Sequence, residues 1–234
     1  MITTYNGLNF NGFQKQKSKN TIQDNLENAL KTILKHDIST TGSGRTDAKV
    51  SAECQPVHFE TDVEINEKKF INSMNGILPR DIKVLSIYKT DKHARFDAKS
   101  KTYIYKMFTS DIDEPLKSNA LRISKNINIK AMKNFLKLLV GTHDFKGFQA
   151  SGSPTETTIR TIYYAKLHTS KNDITLEISG NGFLYKMVRN IVGTMLKVGE
   201  GKLSLKELKT TIFTTFKATN TAKPEYLYLY NVRY

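Results

Sequence analysis

Ile159 to His168 and Ile174 to Ser179 are two strand-forming runs separated by a polar turn at Ser170–Asp173, which is the pattern of a β-hairpin. Other strand-like stretches are Gln55–Glu60, where Val57 and Phe59 alternate with His58 and Glu60, and Ile82–Tyr88. Ser100–Thr109 carries alternating aromatics, and Tyr226–Tyr234 alternates to the end of the sequence. Helical spacing is confined to a few segments. Thr21–His36 aligns Ile22, Leu26, Ala29, Leu30, Ile33 and Leu34 on one face, and Thr21 with Asp24 resembles a capping box. Phe70–Leu78 is stopped by Pro79. A helix capped by Asn128 runs to Val140 and is closed by Gly141, with Ile129, Met132, Phe135, Leu136 and Leu139 as its apolar face. Another spans Leu184–Val198 and ends at Gly199, and Ser204 with Glu207 forms a capping box for a short last helix. Hairpins without strict strand–helix alternation favour an α+β fold with a largely antiparallel sheet over a doubly wound α/β fold. The polar stretch Thr109–Ser124 separates two halves of similar content, 1–110 and 111–234.

The charge balance narrows the partners. Lys and Arg number 36 against 22 Asp and Glu, a net charge of +14, which suits a polyanion as much as it suits a generally basic surface. Cys54 is the only cysteine, so no disulfide can close within the chain and no cysteine pair can hold zinc, as expected of a reducing cytoplasm. The start Met1–Tyr5 lacks a signal-peptide pattern, and no apolar run approaches the ~18 residues of a membrane span. A soluble cytoplasmic protein without membrane contact is expected. His36, His58, His93, His143 and His168 show no metal-ligand spacing and are expected to be structural or solvent-facing.

The densest chemical signal is Thr41-Gly42-Ser43-Gly44-Arg45-Thr46-Asp47-Ala48. Two glycines permit a tight turn and close backbone approach. Arg45 and Asp47, two apart, point the same way on an extended segment, and a carboxylate beside a guanidinium is held ionised, as a nucleophile or base must be. A turn with a structural Arg–Asp pair accounts for the same residues. A phosphate loop does not, because the Gly-Lys-Ser/Thr ending is missing.

Gly42–Ala48 resembles the signature of the TruA family of tRNA pseudouridine synthases, and further segments agree in the family's order. Asn9-Phe10-Asn11-Gly12-Phe13-Gln14 resembles its N-terminal motif, with Phe13 where Trp is usual. Thr21-Ile22-Gln23 matches the start of its first helix, His93–Ala98 its His-Ala-Arg-Phe block, and Tyr103 the position of its active-site tyrosine. Gly141–Phe145, Ile159–Ile162 and Met187–Gly193 fit as well, so the resemblance covers essentially the whole chain. The signature departs at Lys49-Val50-Ser51-Ala52, where the family often has Gly-Val-His-Ala, and the C-terminal Gly-Leu-Tyr-Leu pattern stands as Tyr226-Leu227-Tyr228-Leu229.

The resemblance implies two similar halves, each with an antiparallel sheet and flanking helices, around a central catalytic cleft. It implies isomerisation of uridine to pseudouridine in the anticodon stem-loop of tRNA, at positions 38 to 40, by a homodimer that needs no metal or organic cofactor. Asp47 is the implied catalytic carboxylate, attacking the anomeric carbon or removing a ribose proton to give a glycal; both routes stay open. Arg189 is implied as its partner, buried by a helix carrying Val188, Ile191, Val192 and Met195. Tyr103 is implied to stack on the extruded base, with Tyr105 a core tyrosine, and Arg45 to contact phosphate or fill the space left by the base. Three lysine-rich groups (Lys15, Lys17 and Lys19; Lys92, Arg95, Lys99, Lys101 and Lys106; Lys197, Lys202, Lys206 and Lys209) would supply salt-dependent tRNA affinity. A catalytically silent RNA-binding protein, a hydrolase using Asp47 as base and a basic ribosomal protein are the rivals; none explains the ordered motifs as well.

Overall fold

The computed structural model describes residues 1–152 and 155–234. In chain order the elements are β1 (Ile2–Tyr5), α1 (Ile22–Leu34), β2 (Thr41–Gly42), β3 (Ser51–His58), α2 (Glu67–Ile77), β4 (Ile82–Ser86) and β5 (Ser100–Thr109). They continue with β6 (Leu121–Ile123), α3 (Ile129–Leu138), β7 (Gly141–Asp144), β8 (Ile159–Ser170), β9 (Asp173–Gly180), α4 (Met187–Gly199), α5 (Leu205–Thr211) and β10 (Leu227–Arg233). The chain divides into two compact units, Met1–Lys99 with Tyr228–Tyr234, and Ser100–Leu227. Thr109–Ser124 falls inside the second unit and contains β6.

In the first unit β1 lies between β3 and β4 and is antiparallel to both, with Thr3 opposite Gln55 on one side and Val84 on the other. β10 joins the other edge of β3 in parallel, Leu229 opposite Ala52. Helix α1 begins as its sequence indicates. The Thr21 hydroxyl accepts the Asp24 N–H at 3.1 Å while the Asp24 carboxylate accepts the Thr21 N–H at 3.2 Å, so aspartate serves the capping box in place of the usual glutamate. Ile22, Leu26 and Leu30 are fully buried along the predicted face, with Met74 of α2 and Ile82 of β4. α2 starts at Glu67 rather than Phe70, because Asn66 caps it through the Lys69 N–H. The strand around Gln55 extends back to Ser51 and stops at His58.

The second unit is an antiparallel array, β5–β9–β8–β7, with β6 parallel to β5. The β8/β9 hairpin is longer than its sequence pattern, pairing Ser170 with Asp173 and leaving Lys171, at φ 52°, and Asn172 as the turn. Asn128 caps α3 by accepting the Ala131 N–H. α4 starts three residues later than Leu184, because Lys186 sits in the left-handed region at φ 57°. α4 ends at Gly199, as its sequence indicates. A Cβ there would come within 2.8 Å of Met132 Cγ on α3, so its role is close helix packing. The expected capping box at α5 does not form: Ser204 occupies the cap position without a side-chain bond, and this short helix is held by its buried Leu208.

The architecture is thus α+β with largely antiparallel sheets, as the sequence indicates. Among the described residues no helix is long and apolar enough to cross a membrane.

Candidate active site

Asp47 sits in the loop between β2 and β3, half-exposed, and the loop is built from both sides. On one side β3 supplies Gln55, whose side chain is wholly buried. Its Nε2 donates to the Gly44 carbonyl at 2.6 Å, and its Oε1 accepts the Gly44 N–H at 3.3 Å and the Ser43 hydroxyl at 3.1 Å. On the other side is the Asn9–Gln14 segment. The Phe13 N–H donates to the Thr46 carbonyl and the Lys49 N–H to the Phe10 carbonyl, each at 3.1 Å. Backbone bonds between residues more than thirty positions apart therefore lace the two segments together around Asp47.

Gly12 makes this approach possible. It has φ 90°, and a Cβ there would meet the Thr46 carbonyl at 2.8 Å. The Tyr5 hydroxyl is bonded to Thr46 Oγ1 at 2.8 Å, tying β1 to the loop, and the buried Phe13 ring occupies the place where a Cβ on Gly42 would fall.

Arg45 does not turn back onto Asp47. It is exposed, and no hydrogen bond or ion pair joins the two among the described residues. Burial of part of its side chain and then the charge of Arg95 lower its pKa from the usual guanidinium value.

Lys49, the departure at a position where the family often carries glycine, has φ 67°. A left-handed backbone costs a side-chain-bearing residue roughly 1–2 kcal/mol. Lys49→Gly is therefore expected to leave stability unchanged or raise it by up to about 1 kcal/mol, the gain being reduced by the freer unfolded chain. Lys49→Val is expected to lower it by more than about 1 kcal/mol. Urea denaturation compares all three. Ser51, where the family often has histidine, is buried and accepts the Gly7 N–H at 3.0 Å.

In the second unit Tyr103 lies on β5 opposite Ile178, 8% exposed, with its ring edge-to-face against Phe183 at 5.3 Å. Tyr105 is fully buried, as expected of a core tyrosine; its hydroxyl donates to the Lys223 carbonyl, and burial raises its pKa well above the usual phenol value. Arg189 lies in the first turn of α4, where Val188, Ile191, Val192 and Met195 are buried. Its Nε donates to the Ala222 carbonyl at 2.8 Å, and its own carbonyl accepts the Ala222 N–H at 3.1 Å, so the guanidinium is anchored to the segment before β10.

The structure also spends charges that the sequence left for RNA. Lys15 is bound by Glu27 at 2.5 Å, and this buried carboxylate further accepts the Thr40 N–H, the Thr40 hydroxyl and the Gln23 amide. Lys197 donates to the Thr219 hydroxyl and Lys202 pairs with Glu200. All five histidines make local contacts: His36 with the Leu34 carbonyl, His58 with the Ala94 N–H, His93 with the Arg95 and Phe96 N–H groups, His143 stacked on Phe213, and His168 with Glu177. Among the described residues no three His, Cys, Asp or Glu side chains converge as a metal site.

Residues 135–234 match the family model described as tRNA pseudouridine synthase. Over its whole length the chain is 38% identical to the tRNA pseudouridine synthase A of Thermoanaerobacter sp. (strain X514), covering 98% of that protein. Over 99% of its length it is 39% identical to the same-named protein of Pseudothermotoga lettingae, covering 97% of it. The crystal structure of a Cbf5-Nop10-Gar1 complex aligns with 84% of this chain and 54% of that one, at TM-score 0.36 and 15% identity, a likeness too remote to bear on any residue of the site. These likenesses define an isomerase of the tRNA pseudouridine synthase class. The chain belongs to the tRNA pseudouridine synthase A family.

Proposed function

We propose that this protein isomerises uridine to pseudouridine in the anticodon stem-loop of tRNA, at positions 38 to 40, with Asp47 as the essential carboxylate. One observation carries the assignment of Asp47: the Asn9–Gln14 and Gly42–Ala48 motifs close on each other through backbone bonds and hold it half-exposed on a braced loop. The reaction breaks the N1–C1′ bond, turns the uracil and joins C5 to C1′. The proton lost from C5 balances the one gained at N1. Nothing is oxidised and no group is imported, so the chemistry needs neither metal nor organic cofactor.

A target inside the stem must leave it before a carboxylate can reach its sugar. Tyr103 is the residue proposed to receive the extruded base by stacking, and Arg45 the one to contact phosphate or the space the base vacates. Arg189 is proposed as the third substrate-binding residue, supported by its anchoring on α4. Functionally, residues 1–110 would carry the catalytic loop and 111–234 the remaining substrate-binding groups. A cytoplasmic homodimer is the form in which the family resemblance implies that the enzyme works, and light scattering of the purified protein tests the dimer.

The function is tested with metal-free protein and unmodified tRNA bearing uridine at 38 to 40. Pseudouridine at those positions, mapped by chemical labelling and primer extension, is the expected result. Tight binding without product at any uridine refutes it.

A further inference from the structure

Phe96 is 74% exposed, yet its backbone belongs to a closely tied turn of the first unit. The Asp97 carboxylate accepts the His93 N–H at 2.7 Å, and His93 Nδ1 accepts the N–H groups of Arg95 and Phe96 at 3.1 Å each. The Ala94 N–H donates to His58 Nδ1 at 3.0 Å, and the Tyr234 hydroxyl donates to the Ala94 carbonyl at 2.7 Å. A single exposed hydrophobe is ordinary. An exposed ring on so fixed a backbone, backed by another ring, is presented to something.

The backing ring is His93, stacked on Phe96 at 4.4 Å and 26°, with His58 edge-on behind it at 4.3 Å. His93 is itself held in place, its Nδ1 accepting the Arg95 and Phe96 N–H groups. Cations complete the group. The Arg95 guanidinium lies 5.5 Å from the Phe96 centroid, and Arg95 is the charge that acts on Arg45. Neither guanidinium has a carboxylate partner among the described residues. A guanidinium over a presented aromatic ring, itself within reach of the charge of a second guanidinium, has the chemistry of a nucleotide site: an anion relieves the repulsion and a flat base covers the ring.

We propose that Phe96, Arg95 and Arg45 form a second nucleotide subsite, in which an unpaired base flanking the target uridine stacks on Phe96 while its phosphate lies between the two arginines. The subsite rests on the reading of the substrate as tRNA. Aromatic stacking tolerates any base, so it grips without selecting sequence, and anticodon-loop bases are already unpaired and available to it. Because Arg45 lies two residues from Asp47, a phosphate held there would fix the strand relative to the carboxylate.

The test scans single abasic residues through an anticodon stem-loop RNA around a target uridine and measures binding by parent protein and by Phe96→Ala. The parent should lose roughly 5- to 100-fold in affinity at one flanking abasic position. Phe96→Ala should show the same loss with the intact RNA, no further loss with that abasic RNA, and recovery in Phe96→Tyr. Arg95→Ala should lower the salt dependence of binding by about one ion. A parent protein that forms pseudouridine but binds every abasic RNA within twofold of the intact one overturns the subsite alone. A parent that binds RNA but forms no pseudouridine overturns the reading beneath it. The scan on unmutated protein is independent of any folding defect in the variants.

Discussion

Asp47→Ala and Asp47→Asn should form no pseudouridine on tRNA that the parent protein modifies, while binding that tRNA within a few-fold of the parent. Both routes open to this chemistry, attack on C1′ and removal of a ribose proton, require the carboxylate itself. Removing the one nucleophile or base of an enzyme typically lowers turnover on the order of 10^4- to 10^6-fold. Asn keeps the shape of the side chain and removes only its charge and basicity, so a dead Asn variant separates chemistry from packing. The loop should survive either change. Its closing bonds run from the Phe13, Lys49 and Val50 N–H groups to backbone carbonyls, and Gln55 holds it through Gly44 and Ser43, none of which involves the Asp47 side chain. Thermal melts should therefore superimpose on the parent's within a few degrees. Turnover of Asp47→Asn within tenfold of the parent would remove Asp47 from the mechanism.

How much of this was legible beforehand follows from which interactions are local. The α1 capping box, the Asn128 cap and the β8/β9 hairpin are written in residues a few positions apart, and each forms. The Gly42–Ala48 loop was legible for a different reason: its glycines, arginine and aspartate make a short motif. What holds that motif was not legible, because it comes from afar. Gln55 reads as an ordinary polar residue on a strand. The four-residue β1 is too short to show a period, yet its Tyr5 reaches across 41 positions to Thr46. Glu27 looks like a solvated helix residue, but α1 packs it against Thr40 and Lys15, which takes one lysine out of the presumed RNA-binding set. The parallel pairings of β10 with β3 and β6 with β5 leave no trace in period-two alternation, which reports the face of a residue and not the direction of its neighbour. The Ser204 box shows the converse failure, a correct local pattern in a helix too short to depend on it.

Gln55→Leu should be the most damaging substitution that touches no reacting atom. Leucine nearly fills the same volume but can neither donate nor accept. The Gly44 carbonyl, the Gly44 N–H and the Ser43 hydroxyl would each lose the Gln55 amide as partner, in a place where the side chain is wholly buried. Each buried polar group left unmet costs about 1–3 kcal/mol. Allowing the Ser43 hydroxyl to rotate elsewhere, the two backbone groups alone amount to about 2–6 kcal/mol. Against a typical domain stability of roughly 5–15 kcal/mol this is a large fraction, and a fall in melting temperature on the order of 10 °C or more is expected. The loop can lower that cost only by opening to water, and opening moves Arg45 and Asp47 together, since both lie within three residues of Gly44. The variant should accordingly lose turnover even at temperatures where most of it remains folded, as misplacing a reacting group by about 1 Å can cost on the order of 100-fold. A calorimetric melt within 2 °C of the parent's, with unchanged turnover, would mean that the Asn9–Gln14 segment holds the loop without help from β3.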